Sequence, residues 1–149
     1  MGEPSLRERA IRHLARREHS RSELARKLAA HGDADAVAEV LARMDELGLQ
    51  SDTRFAEAWV RGKAGRFGAA RLRNELARRG VAAETIAEAL ASGCADGEFE
   101  RARAVWQSRF GAAPADAREW ARQARFLQNR GFATDVIRKL LKESPDESA

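Results

Sequence analysis

Four groups of residues have types and spacings that chemistry could use. The first is the imidazoles His13, His19 and His31, separated by six and twelve residues. A helical zinc site wants ligands at i, i+3 or i+4, and no Cys lies near them, so no metal is expected. The second is the carboxylate pairs Asp33 with Asp35 and Asp45 with Glu46, the residue types of general acid and base catalysis. They lie in or beside an acidic amphipathic stretch that accounts for them without a reaction. The third is Cys94, the single thiol of the chain. It can form no intrachain disulfide and, without a nearby His, reads as a small core residue. The fourth is Arg61-Gly62-Lys63-Ala64-Gly65-Arg66-Phe67-Gly68. Successive backbone N–H groups in such a loop can form an anion-binding concavity beside the next helix N-terminus, although an ordinary flexible connection fits the same residues. No phosphate-binding Gly-x-x-x-x-Gly-Lys-Ser/Thr loop, Gly-x-Ser-x-Gly elbow or His-Glu-x-x-His helix occurs. The chain reads as a non-enzyme that needs no cofactor.

The arginines remain. Arg71, Arg73, Arg78 and Arg79 crowd one short stretch, where Arg71 and Arg78, a heptad apart, share a face and Leu72 with Leu76 make the buried one. Behind them stands a chain of 149 residues with 31 Ala, 23 Arg, four Lys, three Pro and no Tyr, a mixture that favours helix nearly throughout. That length suits one domain or a short repeat array. It contains no apolar run long enough to cross a bilayer and no secretory leader at Met1, so a cytoplasmic protein is expected. Ala, Gly and Arg share GC-rich codons, which makes the Arg total and the net charge of +4 weak evidence for a ligand. Position is more informative. Blocks 1–30, 31–52, 53–80, 81–100, 101–142 and 143–149 carry net charges of +4, −5, +6, −5, +7 and −3.

This alternation, near 48 residues in period, is a reason to look for repeats. Leu24, Leu28, His31 and Gly32 recur 48 residues later as Leu72, Leu76, Arg79 and Gly80. Leu127, Arg130 and Gly131 follow 51 residues after their counterparts, with Ile86 and Leu90 returning as Ile137 and Leu141. Ile11, Trp59 and Trp106 fall in step upstream. Each copy reads as three helices, the first two basic and the third acidic. Ser20 with Glu23 forms a capping box. Asp52 is the expected N-cap of the next helix and Pro114 suits a first helical turn. Gly32, Gly48, Gly80, Gly93 and Gly131 stand where helices should end, and Val81 and Phe132 follow as apolar residues that pack back. The expected fold is therefore all-α, an elongated array of about nine helices in three tandem three-helix, helix-turn-helix-like repeats. Their expected bounds are 4–52, 53–95 and 96–143, with a disordered tail at 144–149.

The run Asp52-Thr53-Arg54-Phe55-Ala56-Glu57-Ala58-Trp59-Val60-Arg61, followed by Arg71-Leu72-Arg73-Asn74-Glu75-Leu76 and Arg79-Gly80-Val81, resembles the signature of the RecX regulatory proteins of bacteria. Arg122-Gln123-Ala124-Arg125-Phe126-Leu127-Gln128-Asn129-Arg130-Gly131-Phe132, with Asp135, Val136 and Ile137 after it, resembles that family's C-terminal motif. The likeness covers about residues 6 to 142 in order. Two departures stand out: Ala69 follows Gly68 where the family usually has Pro, and Ser51 replaces the usual acidic residue before Asp52. The resemblance implies tandem three-helix repeats and a modulator that binds in the helical groove of the RecA filament on DNA, inhibiting ATP hydrolysis, strand exchange and coprotease activity.

An elongated array suits that role, because weak contacts on each repeat combine through effective concentration. The residues expected to meet the RecA filament or its DNA are Arg61, Lys63, Arg66, Arg71, Arg78, Arg122, Arg125 and Arg130. Arg79 and Arg130, each beside a C-terminal Gly, have an equally good structural use in bonding last-turn carbonyls. Phe55, Trp59, Trp106, Trp120, Leu72, Leu76, Phe126, Leu127 and Phe132 are assigned to the core and repeat interfaces. The chain is expected to be a monomer with no membrane partner. Two other functions remain open. A helix-turn-helix-like DNA binder acting without the recombinase would need base-edge readers, for which Asn74, Gln128 and Asn129 are the candidates. A helical scaffold without a nucleic-acid role would tolerate loss of the arginines.

Overall fold

The computed structural model describes residues 2–94 and 97–142. Among them the backbone forms nine helices and no strand: α1 (Leu6–Arg16), α2 (Arg21–Leu28), α3 (Ala34–Glu46), α4 (Asp52–Lys63), α5 (Ala69–Arg78), α6 (Ala83–Gly93), α7 (Gly97–Arg109), α8 (Ala117–Asn129) and α9 (Thr134–Leu141). The all-α expectation holds. The expected tail at 144–149 lies outside the described residues. Two compact units share the chain, one of Met1–Ala58 with Leu76–Ala89 and one of Trp59–Glu75 with Leu90–Ala149. Helices α4, α5 and α6 each contribute to both.

In the first unit, α1 buries Ala10, α2 buries Leu24 and Leu28, and α3 buries Val37, Leu41 and Met44. The spacings of three and four put each set on one stripe, and each fully buried leucine stabilises the fold by about 1.5–3 kcal/mol. The Ser20–Glu23 capping box is present, with Glu23 N–H donating to Ser20 Oγ and Ser20 N–H to Glu23 Oε1, both at 3.1 Å. The Ser20 hydroxyl in turn donates to Arg79 O at 2.8 Å, tying the start of α2 to the end of α5. Asp33 is the N-cap of α3 and accepts Ala36 N–H at 2.8 Å, while Arg43 pairs with Glu46 at 3.2 Å. These carboxylates have structural partners.

The expected N-cap of α4 is displaced by one residue. Ser51 Oγ accepts Arg54 N–H at 3.1 Å, and Asp52 already lies in the helix. The Asp52 carboxylate instead accepts Arg21 N–H at 2.8 Å and Gln50 Nε2–H at 3.0 Å, so it caps the neighbouring helix α2. Pro114 is also corrected: α8 starts at Ala117, with Asp116 accepting Glu119 N–H at 2.8 Å as the actual cap. Of the five glycines expected at left-handed helix ends, Gly48, Gly80 and Gly131 have φ of +72°, +79° and +90°. Gly32 and Gly93 do not, and Gly93 is the last residue of α6; what they lack is room for a Cβ, against Leu6 and Val60 respectively. Val81 and Phe132 are buried as expected, and their N–H groups donate to Leu76 O and Leu127 O at 3.2 Å.

The second unit is centred on Ala102, Leu127, Phe132, Ile137 and Leu141, with Val105, Trp106, Trp120, Ala124 and Phe126 packed partly buried around them. Trp106 Nε1–H donates to the buried Gln123 Oε1 at 2.8 Å, which satisfies the indole in the core. The charge pattern needs one amendment. Helix α9 carries Asp135 against Arg138 and Lys139, so it is not acidic, because the last acidic block begins only at residue 143, beyond its end.

Candidate functional site

The second unit gathers cations on aromatic rings. Phe67 is 8% exposed at the end of the α4–α5 connection. The guanidinium of Arg71 sits 3.9 Å from its ring centroid, Arg66 at 5.2 Å, Arg130 at 5.4 Å and the Lys63 ammonium at 5.9 Å. Lys63 also lies 4.5 Å from the Trp59 ring. Arg130 continues to a second aromatic group, 5.0 Å from Phe126, which meets Phe110 edge-on at 5.3 Å. Arg109 lies 5.5 Å from Phe126 and Arg122 lies 5.2 Å from Phe110. Each such contact is worth about 0.5–1 kcal/mol when exposed, so together they bias long flexible side chains toward the rings.

Electrostatically the group is under-neutralised among the described residues. Arg71 has Glu75 at 4.0 Å, and Arg122 makes a forked pair with Glu119 at 2.8 and 3.0 Å. That fork, helped by Gln123, holds Glu119 below the usual carboxylate range and raises Arg122. Arg122 therefore meets an incoming anion in competition with Glu119. No carboxylate of the described residues forms an ion pair with Lys63, Arg66, Arg109 or Arg130. Lys63, Arg66, Arg109 and Arg130 thus offer positive charge that no described carboxylate pairs.

The frame is built by backbone contacts. Gly68 N–H donates to Arg130 O at 2.7 Å, and a Cβ on Gly68 would strike the backbone of Gly131. Gly131, at φ +90°, has its own missing Cβ directed onto Arg71. Helix α7 holds the other side: Glu98 Oε1 accepts Ala69 N–H at 2.8 Å and Oε2 accepts Ala133 N–H at 3.1 Å. Arg101 donates through Nε to Ala64 O and through Nη2 to Phe67 O, both at 2.8 Å. The loop is therefore no anion cradle. Arg66 and Phe67 N–H groups are taken by Lys63 O, that of Gly68 by Arg130 O and that of Ala69 by a carboxylate, which already fills the place an anion would take.

The eight expected site residues divide accordingly. Lys63, Arg66, Arg71, Arg122 and Arg130 come together on the rings. Arg61 is exposed near the end of α4, and Arg125 lines a groove of about 600 Å³ with Arg118, Arg122, Asp116 and Glu119. Arg78 is exposed in the last turn of α5, within the first unit. Sequence reasoning missed Arg109, the ring of Phe67 and the supports Glu98 and Arg101. The i, i+3 spacing of Glu98 and Arg101 was visible, yet nothing local indicated backbone partners some 30 residues away.

Family profiles described as the RecX first, second and third three-helix domains match residues 7–44, 51–90 and 96–141. The chain belongs to the RecX family. A "Regulatory protein RecX" of Leptothrix cholodnii is 48% identical over 144 residues, 96% of this chain and 91% of the relative. Another of the same name from Chromobacterium violaceum is 44% identical over 146 residues, covering 96% and 93%. The crystal structure of RecX from Lactobacillus salivarius shares the fold, with a TM-score of 0.77, 19% identity and 92% of both chains covered. Both RecX departures noted in the sequence have local roles. Ser51 caps α4, and Ala69 supplies the N–H that Glu98 takes, which the usual RecX proline would lack.

Proposed function

We propose that this RecX-family chain is a non-enzymatic regulator that binds the RecA recombinase filament in its helical groove and inhibits ATP hydrolysis, strand exchange and coprotease activity. Its setting is DNA recombination, repair and the SOS response in the cytoplasm, and its repeats are 4–52, 53–95 and 96–143. The observation that carries this reading is the ring-supported set Lys63, Arg66, Arg71 and Arg130 in a chain whose relatives are named regulatory proteins. Arg61, Arg122 and Arg125 extend the contact face of the second unit, and Arg78 is a separate expected contact on the first. Cations gathered on one face suit acidic filament surfaces or DNA phosphates, since a charge-assisted hydrogen bond is worth about 1.5–3 kcal/mol.

The test titrates the protein into DNA-dependent ATP hydrolysis by the recombinase and measures its binding to the same DNA alone. Paired Arg71→Glu and Arg130→Glu changes should leave helicity intact and raise the half-inhibitory concentration by about tenfold or more, the factor that about 1.4 kcal/mol represents. Equal inhibition by the paired variant at low and moderate salt would remove these residues from the site. Tight binding to bare DNA with no effect on the recombinase would favour the helix-turn-helix-like alternative, with Asn74, Gln128 and Asn129 as readers.

A further inference from the structure

The cation cluster depends on backbone that its own side chains hold only at Asn129 O, which accepts from Arg71 Nη1–H at 3.4 Å. We propose that Glu98 and Arg101, one turn apart on α7, are positioning residues that set the geometry of the partner-binding face; the proposal rests on the reading of that face given above. Arg101 is 8% exposed, and a buried guanidinium costs several kcal/mol unless its N–H groups are satisfied. Its Nε–H and one Nη2–H go to carbonyls, Ala64 O just past the end of α4 and Phe67 O. The first also lies at the negative end of a helix dipole. An apolar side chain of similar volume would fill the same space, so the distinctive contribution of Arg101 is to fix those two carbonyls.

Those carbonyls belong to the residues that matter. Phe67 carries the ring against which Lys63, Arg66, Arg71 and Arg130 are arranged. Glu98 fixes the remaining freedom with one carboxylate. Its Ala69 bond sets the start of α5, two residues before Arg71, and its Ala133 bond sets the segment three residues after Arg130. Both strands of chain that bring arginines to Phe67 are thus tied to one face of α7. Movement of either bond would change the direction in which the guanidinium edges point, with the helices themselves unaltered.

The experiment uses full-length Arg101→Met, Arg101→Lys and Glu98→Gln proteins. Binding to recombinase filaments on DNA is measured by anisotropy at several salt concentrations, well below each melting temperature. Arg101→Met should keep its helical circular dichroism, bind about tenfold more weakly and show a shallower salt dependence, because fewer cations reach the partner together. Arg101→Lys should recover part of the loss through one carbonyl. Glu98→Gln should fall between, since its amide oxygen accepts one N–H while its NH₂ repels the other. A second readout needs no partner: with its guanidinium 3.9 Å from the Phe67 ring centroid, the Arg71 Nε–H resonance should be shifted upfield in the wild type and should lose that shift in Arg101→Met. A folded Arg101→Met protein with wild-type affinity and salt dependence, or with the Arg71 shift retained, overturns the proposal. Wild-type protein that binds no filament would instead overturn the functional reading, and the Arg71 resonance would still decide the positioning role.

Discussion

His19 shows how much one side chain can be asked to do at the start of α2. It is 1% exposed, with Nδ1 3.1 Å from Arg17 O and Nε2 2.8 Å from Lys27 Nζ. A carbonyl can only accept, so Nδ1 carries the proton and Nε2 presents its lone pair to the ammonium; the ring is neutral. Burial, then the charges of Arg17 and Lys27, lower its pKa from 6.5, against the opposing pull of the Arg17 carbonyl and Glu23. His13, 5.7 Å away between ring centroids, is lowered too, by burial first and then by Lys27, Arg16, Arg17 and His31. Below about pH 6.5 the unfolded chain takes up protons that the folded chain refuses, so stability rises with pH through that window and is lost as pH falls through it. The urea midpoint should be lower at pH 5.5 than at pH 7.5. His19→Gln should narrow the difference and leave the share due to His13. Equal midpoints at the two pH values in the wild type would contradict this assignment.

At the scale of elements, each unit contains a joint between second helices, and the two are built on equivalent carbonyls, reached by a hydroxyl in one and a backbone amide in the other. In the first unit Ser20 at the start of α2 donates to Arg79 O; in the second Gly68 at the start of α5 donates to Arg130 O. In each, a carboxylate from the following first helix accepts the first amide of the second helix: Asp52 takes Arg21 N–H and Glu98 takes Ala69 N–H. Ser20→Ala removes both a cap and the donor to Arg79 O, so it should destabilise by about 1–3 kcal/mol, measured by denaturant unfolding. A loss within error would mean the joint contributes nothing. The repeat and the capping box were legible in the sequence because they rest on local spacing, the 48-residue offset of Leu24 with Leu72 and the three-residue step from Ser20 to Glu23. Asp52 was misread for the opposite reason. Ser51 and Asp52 are both good N-cap residues, and what separates them is Arg21 N–H, 31 positions earlier. The candidate site was half legible: its arginines were visible as an excess in particular blocks, but the ring of Phe67 that collects four cations, and the buried Arg101 beneath the usual expectation that charge stays outside, depend on contacts no local pattern encodes.

For the molecule as a whole, repetition raises the question of what stops it. A joint that serves twice within a chain is by construction a surface that one copy offers to the next, and such head-to-tail contacts give open filaments when they do not close. The corresponding positions in the first and third copies have local partners instead. At the end of the first second helix, Gly32 lies where Gly80 and Gly131 receive a neighbour, yet its vacant Cβ position faces Leu6 of its own repeat. At the start of α8, the place of Ser20 and Gly68 is taken by Asp116, whose carboxylate accepts Glu119 N–H and has no proton to donate to a further carbonyl. Positions satisfied within their own repeat offer no such joint to a second copy. The chain should therefore sediment as one species near its mass of 16.5 kDa over about a hundredfold range of concentration, and stay so at low salt, where attraction between its basic and acidic blocks is least screened. Larger species that grow with concentration would show that these positions do accept a second copy.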